Sequence, residues 1–440
     1  MDGIDLNKRY LVLGVGVTGA SVARYLLQRG CVVRVADSRP EHASVQQLKQ
    51  DFPDLDLVLG EFGEQLLDGV EVLVINPGIS RQLPVVRSAL SAGVDVVGDI
   101  ELFAQEVDCP VIAVTGTNGK STVVSMLESM GRFSALRVLC GGNIGEPALN
   151  LLGQQADLVV LELSSYQLES TTGLKPVVAC ILNVSEDHMD RYDSLADYAA
   201  AKQGVYNQAE HAVCLKGDAL SAPVGSRAVV QVVSEEQPQA DDYGVRDGWL
   251  CRGDEALFDL AQLGASGWHN QINACFAWAI ASLSGLPRTA MEEGLRAFKG
   301  LKHRTELIAE IEGVKYINDS KGTNVGATLV ALRSMPCKVV LLAGGDGKSQ
   351  DFRPLLPALR QCARVIVTYG ADGDQLAEIA SGVVPVERAE SLEAAVAVGK
   401  SHAEPGDCVL LSPACASFDM FKSYQDRGRA FVECVERLRA

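Results

Sequence analysis

Residues 112–127 read "IAVTGTNGKSTVVSML", an apolar strand ending at Gly116 followed by Gly119-Lys120-Ser121 at the start of a helix. Backbone amides, a lysine ammonium and a hydroxyl converging on one point suit a nucleoside triphosphate with Mg²⁺. The loop departs from the strict G-x4-G-K-[ST] form: Val114 stands where the first glycine would, and two residues separate Gly116 from Gly119. The competing reading is an ordinary helix start with Ser121 as a polar first-turn residue. The wholly apolar strand before it favours the phosphate loop. A second glycine pattern, Gly14-x-Gly16-x-x-Gly19, lies in "LVLGVGVTGASVARYLLQRG", with Asp37 ending the next strand, "CVVRVAD". In a dinucleotide fold these glycines allow a tight turn and close backbone approach, and the acid holds a ribose hydroxyl. The glycines alone also fit simple helix–strand packing, so an NAD site, another phosphate ligand and a packing role all remain open.

Such loops need a parallel sheet to present them. Short Val-, Ile- and Leu-rich runs alternate with helical-period segments along the chain, which predicts the α/β class. Strands are expected at "YLVLGV", "VVRVAD", "LDLVLG", "EVLVINPG" and "VDVVGD", at "VIAVTG" after Pro110, and at "KVVLLAGG", "RVIVTYG" and "DCVLLSP". From about 214 to 265 the pattern weakens into what reads as hairpins or loops. At 440 residues the chain exceeds one core, and about 150 residues per domain suggests three. The 39 Lys and Arg against 56 Asp and Glu give a net charge of −17 without basic clusters, which argues against nucleic acid or an anionic membrane as partner. The 12 cysteines include no C-x-x-C pair, as expected of reduced core thiols. No signal peptide or spanning run is evident, so a cytoplasmic protein is expected.

The loop "TGTNGKST", the later "LELSSYQLE", "ILNVSEDHMDRY", "WHNQIN" and "INDSKGTN", and "LSPACASFDMFKSYQDRG" together resemble the Mur ligases across the whole chain. "GGDGKSQDF" and "LSPACASFD" look like the members that add D-glutamate. The resemblance implies three domains: a Rossmann-like one at 1–98 for the UDP-substrate, a central P-loop ATPase-like domain with a mixed or parallel sheet at 99–301, and a Rossmann-like one at 302–440 for the incoming amino acid. It also implies a monomeric amide ligase of peptidoglycan precursor synthesis. ATP would phosphorylate the carboxylate of UDP-N-acetylmuramoyl-L-alanine, and the amine of D-glutamate would attack the acyl phosphate. Phosphoryl transfer is mostly positioning and charge neutralisation, so no protein nucleophile is required.

Residue by residue, the resemblance assigns Gly116, Thr117, Asn118, Gly119, Lys120, Ser121 and Thr122 to the phosphates of ATP, with Asn273, Arg304 and Asp319 as further nucleotide contacts. Two Mg²⁺ ions are implied, with Ser121, Glu162, His188 and a CO₂-derived carbamate on Lys202 as ligands; Lys120, Glu162, His188 and Lys202 form the catalytic set. By residue type alone, Glu162 at a strand end also suits a helix cap or a pair with Lys120, and imidazole is an unusual Mg²⁺ ligand, so chemistry alone favours Glu186, Asp187 or a zinc site. Lys202, with Tyr198 and Tyr206 one turn either side, reads by spacing as a solvated helix lysine. Arg304 by itself suits a surface ion pair with Glu306. The UDP-substrate is assigned Val17, Thr18, Asp37, Ser38, Arg39, Asn76, Pro77, Gly78 and Asn143. D-glutamate is assigned Thr323, Lys348, Ser417 and Tyr424, where an ammonium and hydroxyls suit carboxylates. Ser38, Asn76 and Tyr424 stand where relatives more often carry Thr, Ser and Phe; the first two keep their hydrogen-bonding ability.

Overall fold

The computed structural model describes residues 3–265 and 267–439. Its strands coincide with the β-branched apolar runs, and they assemble into three sheets. The first joins β1 (Arg9–Leu13), β2 (Val32–Asp37), β3 (Asp56–Leu59), β4 (Val72–Ile75) and β5 (Asp95–Val97) in the order β3-β2-β1-β4-β5, all parallel. The strand order reverses beside β1, and in open parallel sheets such a point receives ligands at the C-terminal strand ends.

The second sheet has nine strands: β6 (Val111–Thr115), β7 (Val138–Gly142), β8 (Leu158–Glu162), β9 (Val178–Ile181), β10 (His211–Leu215), β11 (Val229–Val233), β12 (Tyr243–Arg246), β13 (Trp249–Arg252) and β14 (Glu255–Asp259). Their order, β14-β13-β12-β11-β10-β9-β6-β8-β7, puts β6 in the interior between β9 and β8. Of the weakly patterned stretch, β12-β13-β14 fold as antiparallel hairpins with a register shift at Leu250/Cys251, but β11 is a parallel strand beside β10, which corrects the expectation of hairpins or loops throughout. The third sheet orders β15 (Glu306–Ile311), β16 (Val314–Asn318), β17 (Val339–Gly344), β18 (Ala363–Tyr369), β19 (Val386–Arg388) and β20 (Cys408–Leu411) as β15-β16-β20-β17-β18-β19. Only β15 runs antiparallel to its neighbour. Strand β17 shows why its sequence is apolar throughout: Val339, Leu341 and Ala343 enter one core while Val340 and Leu342 enter another. A strand covered on both faces cannot alternate in polarity.

By packing, the chain divides into two units. One contains residues 1–184, 196–261 and 274–297; the other contains 185–195, 262–273 and 298–440. The first unit holds the first two sheets, and a continuous core runs through both, including Val12, Val22 and Leu26 with Phe103, Leu149 and Leu161. The second unit holds the third sheet and two segments from the expected central domain. The cysteines are free, and eight of the 12 are buried. Among the described residues, no helix is long and apolar enough to cross a membrane.

Candidate active site

Two glycine loops stand at the C-terminal strand ends of the first unit. After β1, Gly14 takes φ +87°. A Cβ on Gly19 would meet the Gly14 carbonyl oxygen at 1.9 Å, so that glycine lets the helix Val17–Gln28 sit against the turn. A Cβ on Gly16 would meet Asn76 Nδ2 at 2.9 Å. Asp37, buried at the end of β2, accepts from Val15 N at 2.5 Å and Arg39 N at 2.8 Å, and its carboxylate pairs with the Arg39 guanidinium at 3.1 Å. Burial pushes its pKa up, but the Arg39 and backbone hydrogen bonds win and hold it below the usual carboxylate value. Val17, Ser38, Arg39 and Gly78 are exposed around this loop, with Thr18, Asn76 and Pro77 half-buried.

The second loop leaves β6. Gly116 has φ +143° and Gly119 +89°, conformations that suit glycine, and Gly119 caps the helix Lys120–Arg132. Lys120 Nζ donates to the carbonyls of Gly116 and Thr117, both at 2.8 Å. Lys202 Nζ donates to the same Gly116 carbonyl at 3.0 Å. Its side chain is 1 % exposed and lies 4.3 Å from the centre of the Tyr198 ring, whose hydroxyl is 3.4 Å from Thr117 Oγ1. Spacing alone suggested a solvated lysine, and this is corrected: Lys202 is sunk behind the phosphate loop. Tyr206 is not its helical neighbour either, since the helix Leu195–Gln203 stops and Tyr206 closes a tight turn, Gly204–Tyr206. Ser121 and Thr122 are buried in the first turn of their helix.

Glu162 ends β8, level with Val114 of β6. It is 1 % exposed; its Oε1 accepts from Asn143 Nδ2 at 2.9 Å, while Oε2 is buried without a hydrogen-bond partner. A buried carboxylate oxygen left bare is costly, and a hard cation at this edge would complete it. Asn143, expected toward the UDP-substrate, thus orients the metal candidate. Among the described residues there is no cluster of three or more His, Cys, Asp or Glu able to hold a metal alone. Hydroxyl, phosphate or carbamate oxygens would have to supply the rest. A carbamate on Lys202 fits the geometry, because it adds oxygen ligands and keeps an N–H for the Gly116 carbonyl.

The second unit carries His188, at φ +60° and half-buried, beside Asp187. The Asp187 carboxylate accepts from Lys348 Nζ and from Asn324 Nδ2, each at 3.2 Å. Burial would raise its pKa, but His188, Lys348 and Asn324 outweigh this and lower it. Lys348, assigned to D-glutamate, therefore already faces one protein carboxylate. Thr323 precedes Asn324, which caps the helix Val325–Ser334, and Gln350 ties the Lys348 turn to the same helix by accepting from Val325 N and donating to the Gly347 carbonyl.

Asp319 follows β16 directly and accepts from Ser412 Oγ at 2.7 Å and Thr305 N at 3.1 Å. Burial pushes its pKa up to about 6. Arg304 and His269 are electrostatic neighbours; burial first and then Arg304 bring the His269 imidazole down to about 4. Glu306, the expected surface partner of Arg304, accepts from His303 N at 2.8 Å. Asn273 is half-buried in the helix Trp268–Leu283. Ser417 is buried, and the Tyr424 ring lies 4.2 Å from Lys321 Nζ.

Sequence reasoning passed over Arg427, Asn183, Gln167 and Asp99. Arg427 is 1 % exposed and spends its guanidinium on the carbonyls of Cys415, Ala416 and Ser320 and on Ser320 Oγ, at 2.9–3.2 Å. It joins the loop before Ser417 to the loop after β16. Gln167 accepts from Ser164 N and donates to Asp99 Oδ2 at 3.0 Å, bracing the turn after Glu162. Burial pushes Asp99 up to about 6.

Comparison with known proteins adds independent findings. Residues 8–98 match the family model of the Mur ligase MurD-like N-terminal domain, 114–281 that of the Mur ligase middle domain, and 303–415 that of the Mur ligase glutamate ligase domain. A UDP-N-acetylmuramoylalanine--D-glutamate ligase from Marinobacter nauticus is 44 % identical over 100 % of both chains. One from Nitrosococcus oceani is 45 % identical over 97 % of this chain and 96 % of its own. Among solved structures, a pseudomurein peptide ligase type C from Methanothermus fervidus aligns with a TM-score of 0.62 at 19 % identity, over 98 % of this chain and 100 % of that one. A MurF ligase from Thermotoga maritima in complex with ADP aligns at 0.58 and 16 %, over 99 % of both.

Proposed function

Because the chain belongs to the Mur ligase family, we propose that it is the ATP-dependent ligase joining D-glutamate to UDP-N-acetylmuramoyl-L-alanine in peptidoglycan precursor synthesis. The observation that carries the catalytic reading is the pairing of β6 with β8. It sets Glu162, with its bare oxygen, level with Val114, two residues before the glycine that opens the phosphate loop.

Within this reading, residues 1–98 receive the UDP-substrate, 99–301 receive ATP, and 302–440 receive the amino acid. Val17, Thr18, Asp37, Ser38 and Arg39 hold the uridine end, with Asn76, Pro77, Gly78 and Asn143 toward the pyrophosphate and sugar. The loop Gly116–Thr122 cradles the phosphates of ATP, aided by Asn273, Arg304 and Asp319. The substrate carboxylate attacks the γ-phosphorus; an O–P bond forms, the bond to the β-phosphate oxygen breaks, and ADP departs. Lys120 neutralises charge that builds on the phosphoryl oxygens. The free amine of D-glutamate, its carboxylates held by Thr323, Lys348, Ser417 and Tyr424, then attacks the acyl carbon, expels phosphate and gives up a proton. For Mg²⁺, the residues that would serve as ligands are Ser121, Glu162, Lys202 as its carbamate, and His188. When bound, Mg²⁺ supplies charge neutralisation at the phosphates. The enzyme works as a monomer in the cytoplasm, where ATP and UDP-sugars are available.

The test is phosphate release from ATP across a substrate matrix. Release is expected only when UDP-N-acetylmuramoyl-L-alanine and D-glutamate are both present. Equal release with L-glutamate, or none with the full set, would overturn the assignment. An NAD reading of the first loop predicts altered NADH fluorescence on adding protein, and no change is expected.

A further inference from the structure

Strand β9 runs beside β6, pairing Thr115 with Ile181, and the ladder continues past its end as Leu182 N donates to the Thr115 carbonyl at 3.0 Å. A Cβ on Gly116 would come within 3.1 Å of Leu182 N and 3.3 Å of Asn183 N, so the two backbones touch here. Thr117 N donates to the Asn183 carbonyl at 2.9 Å. One residue further on, the ladder is carried by a side chain: Asn118 N donates to Asn183 Oδ1 at 3.0 Å, and Asn183 Nδ2 donates to the Asn118 carbonyl at 3.1 Å. A primary amide is suited to this, since it accepts and donates in one plane as a backbone peptide does.

We propose that Asn183 is a positioning residue for the nucleotide, fixing the peptide planes on both sides of Asn118 before ATP arrives. In a trans peptide the carbonyl and the following N–H point in opposite directions, and the described chain has no cis peptide. Turning the Asn118 carbonyl onto Asn183 therefore turns the Gly119 N–H away from Asn183. Without that anchor, the Asn118-Gly119 peptide can rotate, because Gly119 tolerates most conformations. Only a fraction of molecules would then present the aligned amide, and nucleotide affinity falls by that fraction.

The inference rests on the nucleotide reading of the loop, so ADP binding to the wild-type enzyme is measured first by calorimetry. No ADP binding by the wild type defeats that reading itself. If the wild type binds, N183A is expected to raise the KM for ATP and the Kd for ADP about tenfold, equivalent to about 1.4 kcal/mol. The KM for the UDP-substrate should stay unchanged and Tm close to wild type. N183D should be worse than N183A: it keeps an acceptor for Asn118 N but sets an anionic oxygen against the Asn118 carbonyl and near the phosphates. Unaltered ATP and ADP constants in either folded variant overturn the proposal. So does a fall in Tm with equal weakening of both substrates, or failure of both variants to fold, since each makes Asn183 a fold residue only.

Discussion

The two glycine loops of the first unit share a plan, strand, tight turn and helix start, yet the protein completes them with opposite charges. Behind the loop after β1 it places a carboxylate, Asp37, which takes the Val15 N–H for itself and holds an exposed arginine. Behind the loop after β6 it places the Lys120 ammonium, on the Gly116 carbonyl that Lys202 Nζ also reaches. Glycine spacing therefore announces backbone close to a phosphate and no more. The polar groups behind the loop decide whether it only grips a nucleotide or also neutralises charge that moves during a reaction.

Substitutions can break this division of labour. The largest effect is expected for K120A, which should lower phosphate release by about three orders of magnitude, as loss of a charge-stabilising donor does, with little change in the KM for the UDP-substrate. K202A should cost about two orders of magnitude on the same scale. Wild-type turnover should fall in CO₂-depleted buffer and recover with bicarbonate, whereas K202A should ignore bicarbonate. Near-normal wild-type turnover without CO₂ would remove the carbamate from this account. On the other loop, D37N should raise the KM for the UDP-substrate about tenfold, the scale of one or two charge-assisted hydrogen bonds, and leave the ATP constants alone. If D37N weakened ATP, or K120A weakened the UDP-substrate, to the same degree, the two loops would not be separate devices.

The smallest effect concerns acid stability. The folded state lowers the pKa of Asp37, so its stabilisation is present above the ordinary carboxyl value and disappears as pH falls through the lowered one. The Tm advantage of wild type over D37N should therefore be steady near neutrality and shrink below pH about 4. Since Arg39 is mostly exposed, that advantage should correspond to less than about 1 kcal/mol.

Much of this was legible beforehand, for physical reasons. Parallel strands covered on both faces must be apolar throughout, so β1, β6 and β17 stand out in the sequence; the glycines at 14, 116 and 119 mark positive φ. Glu162 was readable because a charge ending an apolar strand is unusual. Lys202 was readable only through the family resemblance: on a helix carrying Tyr, Ala and Gln around it, nothing in the spacing says that the lysine points inward. Asn183 and Arg427 were missed because their partners are mostly backbone groups brought close by tertiary packing, and Gln167 because its partner Asp99 lies 68 positions away. A side chain that serves a carbonyl leaves no complementary residue in the sequence to pair it with. The passage of residues 185–195 into the second unit was invisible for another reason: Asp187 and Lys348 are complementary, but 161 positions of sequence separate them.

The core shared by the first two sheets bears on truncation. Helix Val17–Gln28 buries Val22 and Leu26 in a cluster that also takes Phe103 and Leu149, and its Ser21 Oγ donates to Asn150 Oδ1 at 2.6 Å. The boundary after β5 is thus one of topology and not of solubility. A fragment of residues 1–98 should expose this apolar face, bind hydrophobic dyes and sediment as aggregates, even though its five-stranded sheet is complete. A fragment that retains the second sheet should stay in solution.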